Sequence, residues 1–135
     1  MMVYMTGTSV GTSASPASIG QVSFSAGAQA NLIGPLADAT YQGILFFTDR
    51  YAAAQTHSLN GGGGLTLQGT IYTNNWKSFM TASRYQTLTL SGNAGSSTAL
   101  AGEIITGALS LQGTPGIVMN LSSALSNVRK VALIN

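Results

Sequence analysis

The chain has 135 residues, the length of one domain, and only 6% of them are charged, whereas roughly 25% is ordinary for a globular domain. Its net charge of +2 comes from five scattered basic and three acidic residues, too sparse for the clustered basic face that nucleic acid requires, so we expect no nucleic-acid partner. There is no cysteine, which excludes disulfides and thiolate metal sites, and no apolar run reaches roughly 18 residues, so we expect no membrane insertion by this segment.

Short triplets in which apolar residues flank a central residue recur about every 22 residues along the chain. In chain order they read VYM, VSF, ILF, LTL, LTL, LSL and VAL. This alternation predicts β-strands with one buried face, because successive side chains of a strand point to opposite sides. The first residues of the triplets are predicted to form one core ladder: Val3, Val22, Ile44, Leu65, Leu88, Leu109 and Val131.

The fixed period predicts an all-β, single-domain parallel β-helix, or β-solenoid, of about seven coils of about 22 residues that spans residues 1–135. A unit of that length buries its apolar face only by stacking on its neighbours. Parallel crossovers are right-handed as a rule, so we expect a right-handed coil. Glycines that close the triplet phrases are predicted to form sharp corners: Gly7, Gly69, Gly92 and Gly113. The alternative is a β-sandwich, which also has short strands but requires no fixed long period.

Two segments depart from the bare coil and are predicted to be loop insertions. The first, at about residues 48–64, contains an AAAQ stretch compatible with a helical turn and ends in four glycines. The second, at about residues 73–86, is a polar arc that contains the only tryptophan. Both are candidate sites for a role other than scaffold.

The sequence contains few residues that could act in catalysis. A polysaccharide-degrading β-helix enzyme needs paired carboxylates or a calcium site, and the acids Asp38, Asp49 and Glu103 form no visible pair. His57 is predicted to be a loop histidine, because it lies among Thr, Ser, Asn and Gly with no set of metal ligands nearby. We therefore predict no catalytic residue, no metal site, no cofactor and no enzymatic activity.

Aromatic residues around the second insertion are the candidate contacts with a glycan or a protein partner: Tyr72, Trp76, Phe79 and Tyr85. Exposed Trp and Tyr side chains are typical of binding hot spots. The alternative is that the same rings cover the flank of the coil as a satellite core.

Two phrases resemble a known family: GILFFTDR at residues 43–50 and GGLTLQGTIY at residues 63–72. They resemble the C-terminal region of TadG-type tight-adherence (Flp) pilus-assembly proteins, and the likeness extends over most of the chain from about residue 20 onward. The resemblance implies an extracytoplasmic protein of the bacterial envelope that helps to assemble or anchor an adhesive pilus. The family's membrane helix and preceding region have no counterpart here, so we expect the chain to be part of a longer protein.

Three functional hypotheses follow. The first is a non-catalytic structural or adhesive domain of the cell surface or periplasm, with pilus or envelope proteins as partners. In this hypothesis the chain self-associates through its ends, because the first and last triplets show no caps and unpaired edges invite further pairing. The second is a glycan-binding module that uses the Trp76 loop. The third, a polysaccharide-degrading enzyme, is opposed by the shortage of carboxylates.

Overall fold

The protein is described by a computed structural model, which covers residues 1–7, 19–37, 40–60, 64–74, 85–92, 99–113 and 118–119. These residues form short β-strands and no helix. In chain order the strands are β1 (Val3–Met5), β2 (Ser23–Phe24), β3 (Ala30–Ile33), β4 (Ile44–Thr48), β5 (Thr56–Asn60), β6 (Leu65–Gln68), β7 (Thr70–Thr73), β8 (Thr87–Gly92), β9 (Ala99–Ala101), β10 (Ile104–Thr106), β11 (Ala108–Gly113) and β12 (Val118–Met119).

The described strands form three parallel sheets of four strands each. The first sheet has the order β1-β4-β7-β10, the second sheet β2-β5-β8-β11 and the third sheet β3-β6-β9-β12. The chain therefore passes through the three sheets in a fixed order. From β4 onward, each strand pairs with the strand three positions earlier in the chain. We call each set of three consecutive strands a level, so β1–β3 form the first level and β10–β12 the fourth. The prediction of an all-β chain with parallel sheets is confirmed.

The core lies between the inward faces of the three sheets. Along β6 and β8 the buried leucines alternate with partly exposed polar residues, as expected for strands with one buried face. Each fully buried leucine stabilises the fold by about 1.5–3 kcal/mol relative to an exposed one. The buried hydrophobic core residues of the strands are Met5, Leu45, Phe46, Leu59, Leu65, Leu67, Ile71, Leu88 and Leu90.

The predicted single core ladder is wrong. Leu88 and Leu109 do pair in register in the second sheet, but Leu65 belongs to the third sheet, where it pairs with Ala30. The first-sheet residue Val3 pairs with Phe46. The remaining markers are Val22, which directly precedes β2, Ile44 in the first sheet, and Val131, which lies outside the described residues.

A period of about 22 residues aligns strands that belong to different sheets of the fold. All three sheets face the same core, so each side carries the same apolar alternation and the triplets of one side resemble those of another. The described strands accordingly form four levels where the period predicts seven. The residue spacing between levels also varies, since Val3 pairs with Phe46 but Phe46 pairs with Ile71.

The first predicted insertion is partly wrong, because residues 48–64 contain the core strand β5 (Thr56–Asn60). No helical turn forms at the AAAQ stretch; Ala52 is buried, and the three residues before β5 are irregular. Of the second insertion, residues 75–84 lie outside the described residues.

Glycines line the corner between the third and first sheets. Gly69 has a φ of 134°, and a Cβ built on it would lie 2.5 Å from the carbonyl oxygen of Gly43. Gly102 also has a positive φ and packs directly on the backbone of Gly69. Only glycine permits both the backbone conformation and this close approach of successive levels. Of the predicted corner glycines, Gly69 and Gly113 have positive φ.

Replacement of Gly69 by alanine is expected to lower the free energy of unfolding by about 1–3 kcal/mol, because the strained backbone and the contact with Gly43 both oppose a Cβ. Gly64→Ala is the matched control, since a Cβ there meets no atom within 4 Å. We expect that control to change stability by less than about 0.5 kcal/mol. Urea unfolding followed by circular dichroism measures both, and equal losses in the two variants would argue against close packing at the corner.

Candidate functional site

A row of aromatic side chains lies on the outward face of the first sheet. Tyr4 of β1 pairs with Phe47 of β4, Phe47 pairs with Tyr72 of β7, and Tyr72 pairs with Ile105 of β10. Tyr4, Phe47 and Tyr72 are each more exposed than the residues that flank them in their strands, so their side chains point outward. The register of the sheet therefore stacks one outward apolar residue from every level. We call Tyr4, Phe47 and Tyr72 the aromatic row.

The rings of the aromatic row contact one another. The centroids of Phe47 and Tyr72 are 5.0 Å apart and their planes differ by 15°, so these rings are stacked. Tyr4 and Phe47 are 5.5 Å apart and inclined by 55°. Each such pair contributes about 0.5–1.5 kcal/mol beyond its buried area. The row thus stiffens the face, while Tyr4 at its end is 49% exposed.

The turn after β4 is tied to the first level by Asp49. Its carboxylate accepts hydrogen bonds from the Tyr4 hydroxyl at 2.8 Å and from the Thr6 hydroxyl at 3.1 Å. The other carboxylate oxygen accepts a bond from the Tyr51 amide at 3.0 Å, and the Asp49 amide donates to the carbonyl of Met5. The side chain of Asp49 therefore fixes both the turn and the end of the aromatic row.

These bonds set the ionisation of the pair. Partial burial acts to raise the pKa of Asp49, but the hydrogen bonds from the Tyr51 amide, Tyr4 and Thr6 outweigh it and hold that pKa below its usual value. The hydrogen bond to Asp49 raises the pKa of Tyr4 above its usual value. At neutral pH Asp49 is an acceptor with its bonds already made, and Tyr4 is a neutral donor.

Arg50 and Tyr51 extend from the same turn. The guanidinium carbon of Arg50 lies 5.8 Å from the centroid of the Tyr72 ring, which places the cation over the third level of the row. Arg50 is exposed, and it makes no hydrogen bond or ion pair with any other described residue. Tyr51 is 38% exposed. The turn therefore combines a cation that packs over Tyr72 with exposed aromatic surface beside the row.

The four aromatic residues singled out from the sequence do not all belong to this site. Tyr72 lies in the aromatic row. Tyr85 is half-buried just before β8, beside the backbone of Gly107. Trp76 and Phe79 lie outside the described residues, so their predicted role remains a prediction.

The sequence reasoning missed Tyr4, Phe47 and Arg50 as members of a site. The available signal was a motif with Thr as its last residue in three strands, namely FFT at 46–48, IYT at 71–73 and IIT at 104–106. In-register alignment of these triplets with VYM at 3–5 puts the outward residues in one column. Alignment of the sequence on ILF at 44–46 does not reveal this column, because β4 has a register shift between Ile44 and Phe46.

His57 is a buried strand residue, and its prediction as a loop histidine is wrong. It belongs to β5, in which His57 and Leu59 point inward and the residues between and beside them are more exposed. The Val22 amide donates to Nδ1 of His57 at 3.1 Å, so the ring hydrogen is on Nε2. Nε2 donates to Oε1 of Gln86 at 2.7 Å, and the side-chain Nε2 of Gln86 donates to the backbone carbonyl of Ala53.

This buried chain of hydrogen bonds gives His57 a structural role. It connects residue Val22 of the first level, His57 of the second and Gln86 of the third, and both His57 and Gln86 are fully buried. Burial lowers the pKa of His57, although the bond to Gln86 opposes that shift. The neutral imidazole therefore has both nitrogen atoms engaged and none available to a substrate.

The acidic residues within the described part of the chain are also separate. Asp49 is engaged in the turn after β4, and Glu103 is exposed just before β10. In the ranges that the structure describes, no three His, Cys, Asp or Glu side chains gather as a metal site would require. Within the same ranges no helix is long and apolar enough to span a membrane.

No protein-family model, curated protein or solved structure matches the chain. The resemblance to tight-adherence proteins therefore rests on the two sequence phrases alone.

Acidification is expected to destabilise the fold through His57. The folded-state pKa of His57 lies below the unfolded value of about 6.5, so the unfolded chain takes up a proton first as the pH falls. Stability should be constant above about pH 7 and fall below about pH 6.5, by at most about 1.4 kcal/mol per pH unit. Protonated Nδ1 would also face the Val22 amide, another donor. Urea unfolding between about pH 7.5 and pH 5 measures the effect.

His57→Gln is the control for that titration. The variant is expected to be less stable at every pH and to lose the slope between about pH 7.5 and pH 5. Asp49 does not interfere, because its lowered pKa places its titration at more acidic values. An unchanged slope in the variant would show that another group carries the pH dependence.

Proposed function

We propose that this chain is a non-catalytic structural and adhesive β-solenoid domain of the bacterial cell envelope, whose copies associate end to end. The solenoid interpretation is supported by the cyclic order in which the strands visit the three parallel sheets. A rigid stack of this kind holds outward side chains at fixed spacing over several levels. It is a scaffold suited to bearing load or presenting a surface.

A non-catalytic role is supported by the way the polar side chains are used. His57 and Gln86 hydrogen-bond to each other in the core, and Asp49 supports a turn. These groups already bond to other parts of the fold. General acid–base catalysis would instead need them within reach of a proton on the substrate. The same polar side chains therefore stabilise the scaffold.

An envelope location and pilus or envelope partners are supported by the resemblance to tight-adherence proteins. Part of the GILFFTDR phrase of that resemblance forms β4 and the turn after it. Phe47, Asp49 and Arg50 of the phrase contribute to the aromatic row and to its adjoining turn. The residues that carry the resemblance are thus also those that build the exposed face, which is our reason for assigning adhesion to it.

The observation that carries end-to-end association is the exposure of core-facing leucines in the fourth level. Leu109 and Leu111 are 50% and 56% exposed, although their partners Leu88 and Leu90 in the third level are buried. At the opposite side of the second sheet, Phe24 is half-buried and pairs with Leu59. Among the strands that the structure describes, β2 and β11 are the two edges of that sheet. A second copy that placed its β2 on β11 would continue the same apolar ladder.

Sedimentation velocity across a concentration series, with negative-stain images of the same samples, tests this proposal. We expect concentration-dependent association into rods that lengthen in one direction. Leu111→Lys should abolish association, because its ammonium group would lose water at the contact. Gln112→Lys is the matched control: Gln112 is an exposed neighbour on the same strand, and the added charge is equal.

The comparison of the two variants decides the outcome. Loss of association in Leu111→Lys alone supports stacking through the ladder. A monomeric native chain at all concentrations, or equal effects of the two lysines, would refute end-to-end association. Circular dichroism of both variants verifies that the fold is retained.

A further inference from the structure

In the turn beside the aromatic row, the acceptor groups of Asp49 are already hydrogen-bonded, whereas the donor groups of Arg50 are not bonded to other described residues. The carboxylate of Asp49 already accepts three hydrogen bonds, from Tyr4, Thr6 and the Tyr51 amide. Arg50, the next residue, makes none with the other described residues and has five donors on a permanently charged group. The available polar group is therefore a cation that suits a planar anion such as a carboxylate.

This cation is held in place rather than carried on a loose loop. The amides of Tyr51 and Ala52 both donate to Asp49, the first to its carboxylate and the second to its carbonyl. Asp49 is anchored to the first level, and the Arg50 guanidinium lies over Tyr72 of the third level. Ordering of the site before binding reduces the entropy that a ligand must overcome.

Exposed aromatic surface lies in the same turn as the cation, at Tyr51, and at the far end of the aromatic row, at Tyr4. Tyr4 at the end of the row and Tyr51 in the turn are each more than one third exposed. Tyrosine rings offer rigid apolar contact area with a polar edge, a combination that can contact sugar rings and hydroxyls together. A small inorganic anion would use only Arg50, whereas a sugar polymer uses the rings as well.

We propose that Arg50, together with Tyr4, Tyr51 and Tyr72, forms a binding site for a carboxylate-bearing polysaccharide. Arg50 pairs with a uronate carboxylate, and the tyrosine rings contact the sugar rings on either side. The chain's net charge of +2 favours an acidic polymer. The inference rests on the proposed adhesive role and is independent of end-to-end association.

The test compares polygalacturonate with its fully methyl-esterified form, which has the same backbone without the charge. Affinity is measured with the polymers immobilised on a biosensor surface and the intact chain in solution. We expect at least about tenfold tighter binding to the acid form, in line with a hydrogen bond to a charged group. Added salt should weaken that preference.

Two arginine variants locate the cation. Arg50→Gln should lose about tenfold in affinity for polygalacturonate and change little for the ester. Arg84→Gln removes the same charge from the chain and should bind the acid form as the native protein does. Tyr51→Ala should weaken binding to both polymers, because ring contacts do not depend on the carboxylate.

Each outcome bears on the proposal. Acid preference that depends on Arg50 and not on Arg84 supports it. Equal binding to acid and ester, equal effects of the two arginine variants, or stronger binding to polyphosphate would overturn it. No binding to any polymer would also overturn it, while sedimentation of the same samples reports separately on end-to-end association.

Discussion

In-register parallel pairing between successive levels is the constraint on which the rest of the structure depends. Because each strand pairs with the one three strands earlier, an inward residue lies over an inward residue and an outward one over an outward one. In the second sheet this puts Leu90 over Leu59 in the core. In the first sheet it puts Tyr72 against Phe47 on the surface. The core and the aromatic row thus arise from one geometric rule.

Several polar side chains in the described part of the chain strengthen the connections between levels. His57 in the second level bonds to the first level through Val22 and to the third through Gln86. On the surface, Asp49 bonds to the first level, and Arg50 lies over Tyr72 of the third. The second level is therefore connected to both neighbours inside and outside the sheets. Loss of either connection should loosen the stack without removing any of its strands.

Strand alternation was predictable from the sequence, but the assignment of each strand to a sheet was not. The LTL triplets beginning at Leu65 and Leu88 have the same sequence because each side of the fold faces the same core. They nevertheless lie in different sheets. His57 was mistaken for a loop residue because its neighbours are polar, although its position two residues before Leu59 places it inward. The sequence predicts Tyr72 as a contact with a partner or glycan, whereas its stacking on Phe47 depends on register, which no single segment encodes.

Cysteine cross-linking measures the register directly, because the chain contains no cysteine of its own. Ser58 and Thr89 are paired outward neighbours in the second sheet, at the strand separation of about 4.8 Å that a disulfide can bridge. Thr66 would neighbour Thr89 in a ladder of about 22 residues, but it pairs with Asn31 and Ala99 in the third sheet. The account predicts rapid disulfide formation under mild oxidation in the Ser58→Cys, Thr89→Cys protein and none in the Thr66→Cys, Thr89→Cys protein. The reverse result would contradict the three-sheet register.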